Sequence, residues 1–157
     1  MPAAGNGGVA ARLGALGLSL PLPPTPLGQY VPASRSGSLL FLSGMLPLEN
    51  GSLVRRGRIG DQVSVASATS AARVAALNAL AVAAAEAGGL YRIRRPVRLG
   101  LVMMTTADFG AHATVADGVS ALFAQLFDAG HARYVAGVYS LPLQAPLVLD
   151  VVFEVEG

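Results

Sequence analysis

The sequence predicts an α+β domain in which two helices pack on one face of a mixed sheet, with the elements in the order ββαβαββ. Three observations lead to this fold class. One long segment has the periodicity of a helix, short apolar runs bounded by turn residues lie on both sides of it, and a second amphipathic segment separates two of those runs. Two helices and several strands in this order give a layer of helices on a layer of sheet.

The composition is that of one folded domain. The chain has 157 residues, of which 53% are hydrophobic and 13% are charged, whereas disordered chains are poor in apolar residues and rich in charge. We expect residues 1–10, which are rich in Gly and Ala, to form a flexible N-terminus. Residues 11–157 are expected to form a single domain.

The first part of the domain is predicted to contain two strands. They cover Tyr30–Ser34 and Leu39–Ser43, and the intervening Arg35–Ser38 has the residue types of a hairpin turn. The Pro-rich segment Leu20–Gly28 before them is predicted to be an extended arm.

A long helix is predicted over Ser64–Ala87, because small apolar residues recur there at steps of three and four. These residues are Val65, Ala68, Ala72, Ala75, Ala76, Ala79, Leu80 and Ala83. The pair Gly88-Gly89 is predicted to end the helix.

The remaining elements complete the fold. A strand over Val97–Met104 precedes a second helix over Ala111–Phe127, which Asp108 is predicted to cap, and strands over Tyr134–Ser140 and Leu147–Glu156 follow. The pattern predicts no third helix, so one face of the sheet stays uncovered. We therefore expect the chain to self-associate through that face.

The residue types exclude several kinds of site. Cysteine is absent, which removes disulfides, thiolate nucleophiles and Cys-ligated metals. Lysine is absent as well, so neither a Schiff base nor a P-loop can form. With His112 and His131 as the only histidines, a three-His metal site cannot be built. We expect no metal and no other cofactor.

Two apolar stretches do not fit a membrane-spanning helix. Five prolines interrupt Leu13–Ser34, and Pro142 and Pro146 interrupt Tyr134–Leu149, and proline breaks a helix interior. The segment after Arg12 does not lead to a convincing cleavage site for a signal peptide. We therefore expect no membrane association and a cytoplasmic location.

Arg133 is the residue that points most directly to a binding site. It begins an apolar strand, where a poorly solvated guanidinium needs a planar anionic partner. That partner is either the carboxylate of a ligand or an internal carboxylate of Asp150 or Glu154, and the sequence does not decide between them. His112 and His131 are interpreted as structural residues. His112 lies in the second predicted helix, and His131 lies just before the strand that follows it.

Other features are weaker signals of function. Arginines cluster in and near predicted loops, at Arg55, Arg56 and Arg58 and at Arg92, Arg94, Arg95 and Arg98. Solvated loops explain both clusters better than contact with RNA, because only one aromatic residue, Tyr91, lies among them. The Ser43-Gly44 pair could present backbone donors to a ligand, and Tyr30 could simply be a packing residue.

The order of several short motifs resembles a known family. The motifs are Leu27–Pro32, Leu39–Gly44, Ala71–Arg73 with Ala76–Asn78, Asp117–Ser120, Gly130–Arg133 and Val138–Pro142. Together they resemble the Rid/YjgF family of reactive intermediate deaminases, once called L-PSP endoribonucleases, over about residues 12–156. The closest match is to a branch with a His-Ala-Arg signature.

The resemblance implies a chorismate-mutase-like fold and a homotrimer with ligand sites in clefts between subunits. In these clefts an arginine matching Arg133 grips a ligand carboxylate, and residues matching Tyr30, Ser43 and Gly44 line the same cleft. The active members hydrolyse enamines and imines to 2-keto acids and ammonia, without a metal.

The resemblance also implies a defect in catalysis. The family places a water-handling glutamate at the position of Val148, and its next inward glutamate corresponds to Asp150. Valine can neither accept a proton nor hold a water, and Asp150 lies nearly 7 Å farther along the strand. The first hypothesis is therefore a homotrimer that binds small carboxylates with weak or no imine hydrolysis. The alternatives are a competent deaminase that uses His131 or a backbone carbonyl, and an RNA-binding protein.

Overall fold

The computed structural model describes residues 7–157, so the predicted flexible N-terminus lies partly outside the described residues. The rest of that prediction is corrected: Gly7–Ala15 form a helix, α1. Val9 and Leu13, one helical turn apart, are at most 6% exposed and belong to the core. Burial of this apolar stripe stabilises a helix that the glycine content alone would disfavour.

The main sheet has five strands in the order β1-β2-β7-β5-β6. They are β1 (Ala33–Ser36), β2 (Leu39–Leu42), β5 (Ile93–Met104), β6 (Ala132–Val138) and β7 (Leu147–Val155). Strands β5 and β6 pair in parallel, and the other neighbouring strands of this sheet pair antiparallel. A small separate hairpin consists of β3 (Leu48–Glu49) and β4 (Ser52–Leu53).

The long predicted helix is confirmed as α2, Val65–Ala87. Ser64 caps it, because its side chain accepts a hydrogen bond from the Ser67 N–H. Gly88 ends it in the left-handed region, with a φ of 89°. This helix is long and apolar enough to cross a membrane by length and composition, but most of that apolar surface is buried inside the fold.

The second predicted helix is α3, His112–Leu126, and its predicted cap is wrong. The chain turns into the helix at Ala111, and no side chain caps it there, so Asp108 lies too far from the first turn to serve. Short 3₁₀ turns at Leu90–Arg92 and Pro142–Gln144 lead into β5 and β7.

The two faces of the sheet differ in cover. Every odd-numbered residue of β7 is buried, against the side that holds the helices, and every even-numbered one is only partly buried. The register places Phe41 of β2 beside Val152 on the side away from the helices, where Phe41 is 46% exposed. We call this side, with Leu39, Phe41, Val148 and Val152, the open face. The helix α1, which the sequence analysis missed, packs against α3 and does not cover it.

Candidate functional site

Three of the four predicted site residues lie together beside the β1–β2 hairpin. Tyr30, Ser43 and Gly44 line one small cavity together with the Pro-rich arm. The Ser43 hydroxyl donates to the Val31 carbonyl at 2.7 Å, and the Leu27 N–H donates to the Tyr30 hydroxyl at 3.1 Å. These bonds hold together the place where β1, β2 and the arm meet. We call this place, with Tyr30, Ser43 and Gly44, the Gly44 corner.

Gly44 lies directly against Val148. A Cβ atom built on Gly44 would stand 2.7 Å from Cγ1 of Val148, closer than side chains approach one another. Glycine is therefore needed here for the close contact between the segment that follows β2 and strand β7. The contact also shows that the side chain next to this corner is the apolar Val148, which offers no hydrogen bond to a water.

Arg133 lies at the other end of the sheet, and its internal partner is not one that the sequence analysis named. Its Nη1 donates to Oδ1 of Asp117 at 2.6 Å and to Oγ of Ser120 at 3.1 Å. Both partners belong to α3.

The register explains why neither predicted carboxylate reaches Arg133. Arg133 stands beside Leu99, which is fully buried under the helices, so its side chain leaves the sheet on the helix side. Asp150 pairs with Gly100 and lies on the opposite side. Glu154 is bound by Nε of Arg95 at 2.9 Å, and the strand β5 separates β7 from β6.

The salt bridge leaves part of the Arg133 guanidinium open. Both hydrogen bonds use Nη1, and no described residue accepts one from Nε or Nη2. Those two nitrogens form one edge of the guanidinium, which is the fork that binds a carboxylate bidentately. The Asp117 side chain is 65% exposed, so this bridge contributes only about 0–1 kcal/mol.

His131 extends the same cluster. Its Nε2 lies 2.9 Å from Oγ of Ser120, and its ring meets the edge of Phe123 at 6.1 Å. Burial, and then the nearby charge of Arg133, lower the pKa of His131. The lowered pKa favours the neutral imidazole, whose Nε2 can accept a hydrogen bond from the Ser120 hydroxyl while that hydroxyl accepts one from Arg133.

Sequence reasoning missed Asp117 and Ser120 as partners of Arg133. They are three residues apart and so lie on one face of α3. That spacing was the available signal, but it becomes meaningful only when β6 is known to lie beside that face.

One chain does not bring the four predicted residues together. Two strands, β7 and β5, lie between β2 and β6. At about 4.8 Å between neighbouring strands, the Gly44 corner and Arg133 are separated by roughly 14 Å across the sheet. A small ligand cannot contact both within a single chain.

The other histidine and the arginine clusters lie elsewhere. His112 begins α3, and its ring meets Phe109 at 4.9 Å in a separate cleft. Arg98 stacks over the Tyr134 ring at 4.6 Å, and Arg95 is paired with Glu154. Within residues 7–157, no group of three or more carboxylate or histidine side chains is placed to hold a metal.

Comparison with known proteins places these features in a family. A family model described as "YjgF/chorismate mutase-like, putative endoribonuclease" matches residues 10–155. The chain is 34% identical over 160 residues to a Trypanosoma cruzi protein called Protein TCP17, with the whole of both chains covered.

Two solved structures are similar in fold and sequence. The Agrobacterium tumefaciens protein Atu1372, of unknown function, is 37% identical with a TM-score of 0.85, covering 97% of this chain and 94% of that one. A Shewanella oneidensis protein described as a "putative endoribonuclease" is 34% identical with a TM-score of 0.89, covering 94% and 99%.

Proposed function

Because the chain belongs to the YjgF/chorismate mutase-like family, we propose that it binds small carboxylates, of the 2-imino and 2-keto acid class, between the subunits of a homotrimer. The family membership confirms the predicted resemblance and the α+β, chorismate-mutase-like fold. The ligand class and the assembly are the proposal.

The observation that carries the proposal is the half-engaged guanidinium of Arg133. Its side chain is 26% exposed and donates only from Nη1, to Asp117 and Ser120. The edge formed by Nε and Nη2 stays available for a bidentate carboxylate. An exposed bridge to Asp117 stabilises the apo arrangement weakly, so a ligand does not have to displace a strong internal partner.

The separation of the site residues supports a site between subunits. Arg133 lies on the β6 edge of the sheet, and Tyr30 and Gly44 lie towards the β1–β2 edge. If the β1–β2 edge of a second copy of the chain lies beside the β6 edge of the first, the Tyr30 and Gly44 of one chain come close to the Arg133 of the other. The open face, with the half-exposed Phe41, supplies apolar surface for that association.

Imine hydrolysis needs a group that holds or activates water beside the substrate. In the Gly44 corner this position is occupied by Val148, and the Ser43 hydroxyl is committed to the Val31 carbonyl. We therefore propose a binding protein with weak or absent deaminase activity.

A competent deaminase is the second candidate, because one observation favours it. The pKa of His131 is lowered, and the Ser120 hydroxyl bridges His131 and Arg133. A neutral base therefore lies near the guanidinium that is proposed to bind the carboxylate. An RNA-binding role has less support, since Arg92, Arg95 and Arg98 are engaged with Tyr91, Glu154 and Tyr134.

The test combines binding with turnover. We expect pyruvate or 2-oxobutanoate to bind the wild-type protein, and Arg133→Ala to weaken that binding by at least about tenfold. The matched control is Arg12→Ala, which removes another arginine from an exposed bridge, the 2.8 Å contact with Asp128, and should leave affinity unchanged. Equal affinity in wild type and Arg133→Ala would refute the proposed grip.

The enzymatic part is tested with 2-aminoacrylate generated in situ, by following its conversion to pyruvate and ammonia. Slow or absent acceleration over the uncatalysed reaction is expected. Rapid turnover that disappears in His131→Ala, with the assembly intact, would establish the second candidate instead.

A further inference from the structure

A second cleft lies at the end of the parallel strand pair, away from the Arg133 cluster. It has a volume of about 720 Å³, within the range of small-molecule sites. The ends of β5 and β6 form its floor, and the start of α3 and the loop that carries Arg58 form its walls. Gly137, which lines the cleft, is four residues along β6 from Arg133, or roughly 13 Å.

The charge in this cleft is positive and has no carboxylate partner. Arg58 and His112 line it, together with the hydroxyl residues Thr105 and Thr106, and no acidic residue does. The salt bridges found within residues 7–157 involve Arg12, Arg95 and Arg133, and not Arg58. A guanidinium without an acidic partner in a concave site attracts an anion.

The position of Arg58 is fixed by the surrounding backbone. Its Nη1 donates to the Thr105 carbonyl at 2.8 Å and its Nη2 donates to the Tyr139 carbonyl at 2.7 Å. The guanidinium also stands 5.2 Å from the centre of the Tyr139 ring. Each terminal nitrogen keeps a second proton, and Nε donates to no described residue. The charge is therefore held in place while three N–H groups of the guanidinium remain available to a ligand.

Gly137 allows two polar side chains to approach the floor of the cleft closely. A Cβ atom there would stand 2.8 Å from Nε2 of His112 and 2.8 Å from Oγ1 of Thr105. Two side-chain polar groups from different elements therefore converge over a backbone that carries no side chain. No described residue forms a hydrogen bond with the His112 ring, which makes an aromatic contact with Phe109.

We propose that this cleft is a binding site for an oxyanion-bearing small molecule, independent of the Arg133 site. The phosphate or carboxylate group lies between Arg58, His112 and the Thr105 hydroxyl. The body of the ligand lies against Phe109 and the Tyr139 ring, so an aromatic or other flat apolar body is favoured.

The experiment titrates the full-length protein with four probes and follows the amide signal of Gly137 and the ring signal of His112 by NMR. Inorganic phosphate and acetate test the two oxyanion classes, and phenyl phosphate and benzoate add the aromatic body. We expect saturable binding of at least one class, tighter by about tenfold when the aromatic body is present.

Variants locate the site. Gly137→Ala brings a methyl group within 2.8 Å of both Nε2 of His112 and Oγ1 of Thr105, so it displaces the two polar groups and should weaken binding by at least about tenfold. Gly110→Ala is its control, because a Cβ there meets no atom within 4 Å. His112→Ala removes a donor without touching the strand ends and should weaken binding several-fold, and it keeps the test valid if Gly137→Ala fails to fold.

The result also separates this site from the one proposed above. Arg133→Ala should leave phenyl phosphate or benzoate binding at this cleft unchanged. The inference is overturned if none of the four probes binds saturably at low-millimolar concentration, or if binding persists equally in Gly137→Ala and His112→Ala.

Discussion

His131 and Arg133 share one hydroxyl group. The Ser120 Oγ lies 2.9 Å from Nε2 of His131 and 3.1 Å from Nη1 of Arg133. A neutral imidazole accepts a hydrogen bond from this hydroxyl, while the hydroxyl accepts one from the guanidinium. The protonation state of His131 therefore affects how Arg133 is held.

The first prediction concerns the pH dependence of stability. The pKa of His131 is lowered in the folded state by burial and by Arg133, so the unfolded chain binds the extra proton first as pH falls. Stability is then full above the unfolded value of about 6.5 and is lost as pH falls through it towards the folded value. Urea unfolding at about pH 7.5 and pH 5.5 should show a smaller loss in His131→Gln than in wild type.

The control for this prediction uses the same two proteins at higher pH. Between about pH 7.5 and pH 8.5, above the unfolded value of about 6.5, wild type and His131→Gln should show the same change in stability. A loss that is identical in wild type and His131→Gln would show that His131 does not contribute.

The second prediction concerns the carboxylate that competes for Arg133. Asp117→Asn removes the internal negative charge from Nη1 and should strengthen pyruvate binding a few-fold, as calorimetry can measure. Stability should change by only about 0–1 kcal/mol, since the bridge is exposed. Asp128→Asn, which breaks the bridge to Arg12, should not alter affinity, and weaker binding in Asp117→Asn would contradict the competition.

The third prediction restores the missing acid. Val148→Glu places a carboxylate beside Gly44 and should raise the rate of 2-aminoacrylate hydrolysis by at least about tenfold, the size of a modest acid–base contribution. Val152→Glu puts the same charge on the open face but four residues farther along, so it controls for the effect of that charge on assembly and should give no gain. Equal rates in the two variants would remove Val148 as the cause of low activity.

The fourth prediction tests the assembly. Phe41→Asp puts a charge on the open face, where Phe41 is 46% exposed, and burying an unpaired charge in an interface is costly. Light scattering should therefore find a lower mass than for wild type. Leu22→Asp changes a side chain that is 91% exposed on the arm and should keep the wild-type mass; a wild-type protein that is already monomeric would refute the homotrimer.

Local patterns predicted most of the fold. The helix α2 was predicted to within one residue at its start. Ser64 is a residue type that caps helices, and Gly88 is a residue type that ends them in the left-handed region, so both ends can be read from local sequence. The helix α1 was missed because its stability comes from burial of Val9 and Leu13. That burial cannot be predicted from a glycine-rich local sequence. The cap of α3 was wrong because Asp108 lies outside the first turn.

The arrangement of the candidate site residues follows from the sequence only in part, for a related reason. Tyr30, Ser43 and Gly44 are brought together by a hairpin that is close in sequence, so their proximity follows from local structure. The partner of Arg133 depends on strand order and on the side from which its side chain leaves the sheet. Neither property is encoded in the neighbouring residues, which is why Asp150 and Glu154, and not Asp117, were considered as internal partners.

The strand β7 follows every other strand in the sequence, yet it occupies the middle of the sheet, between β2 and β5. During synthesis, the hairpin of β1 and β2 and the β5–α3–β6 unit therefore emerge as two separate pieces with unpaired edges. The sheet closes only after residues 147–155 have left the ribosome, so a nascent chain stalled before them exposes strand edges that invite aggregation.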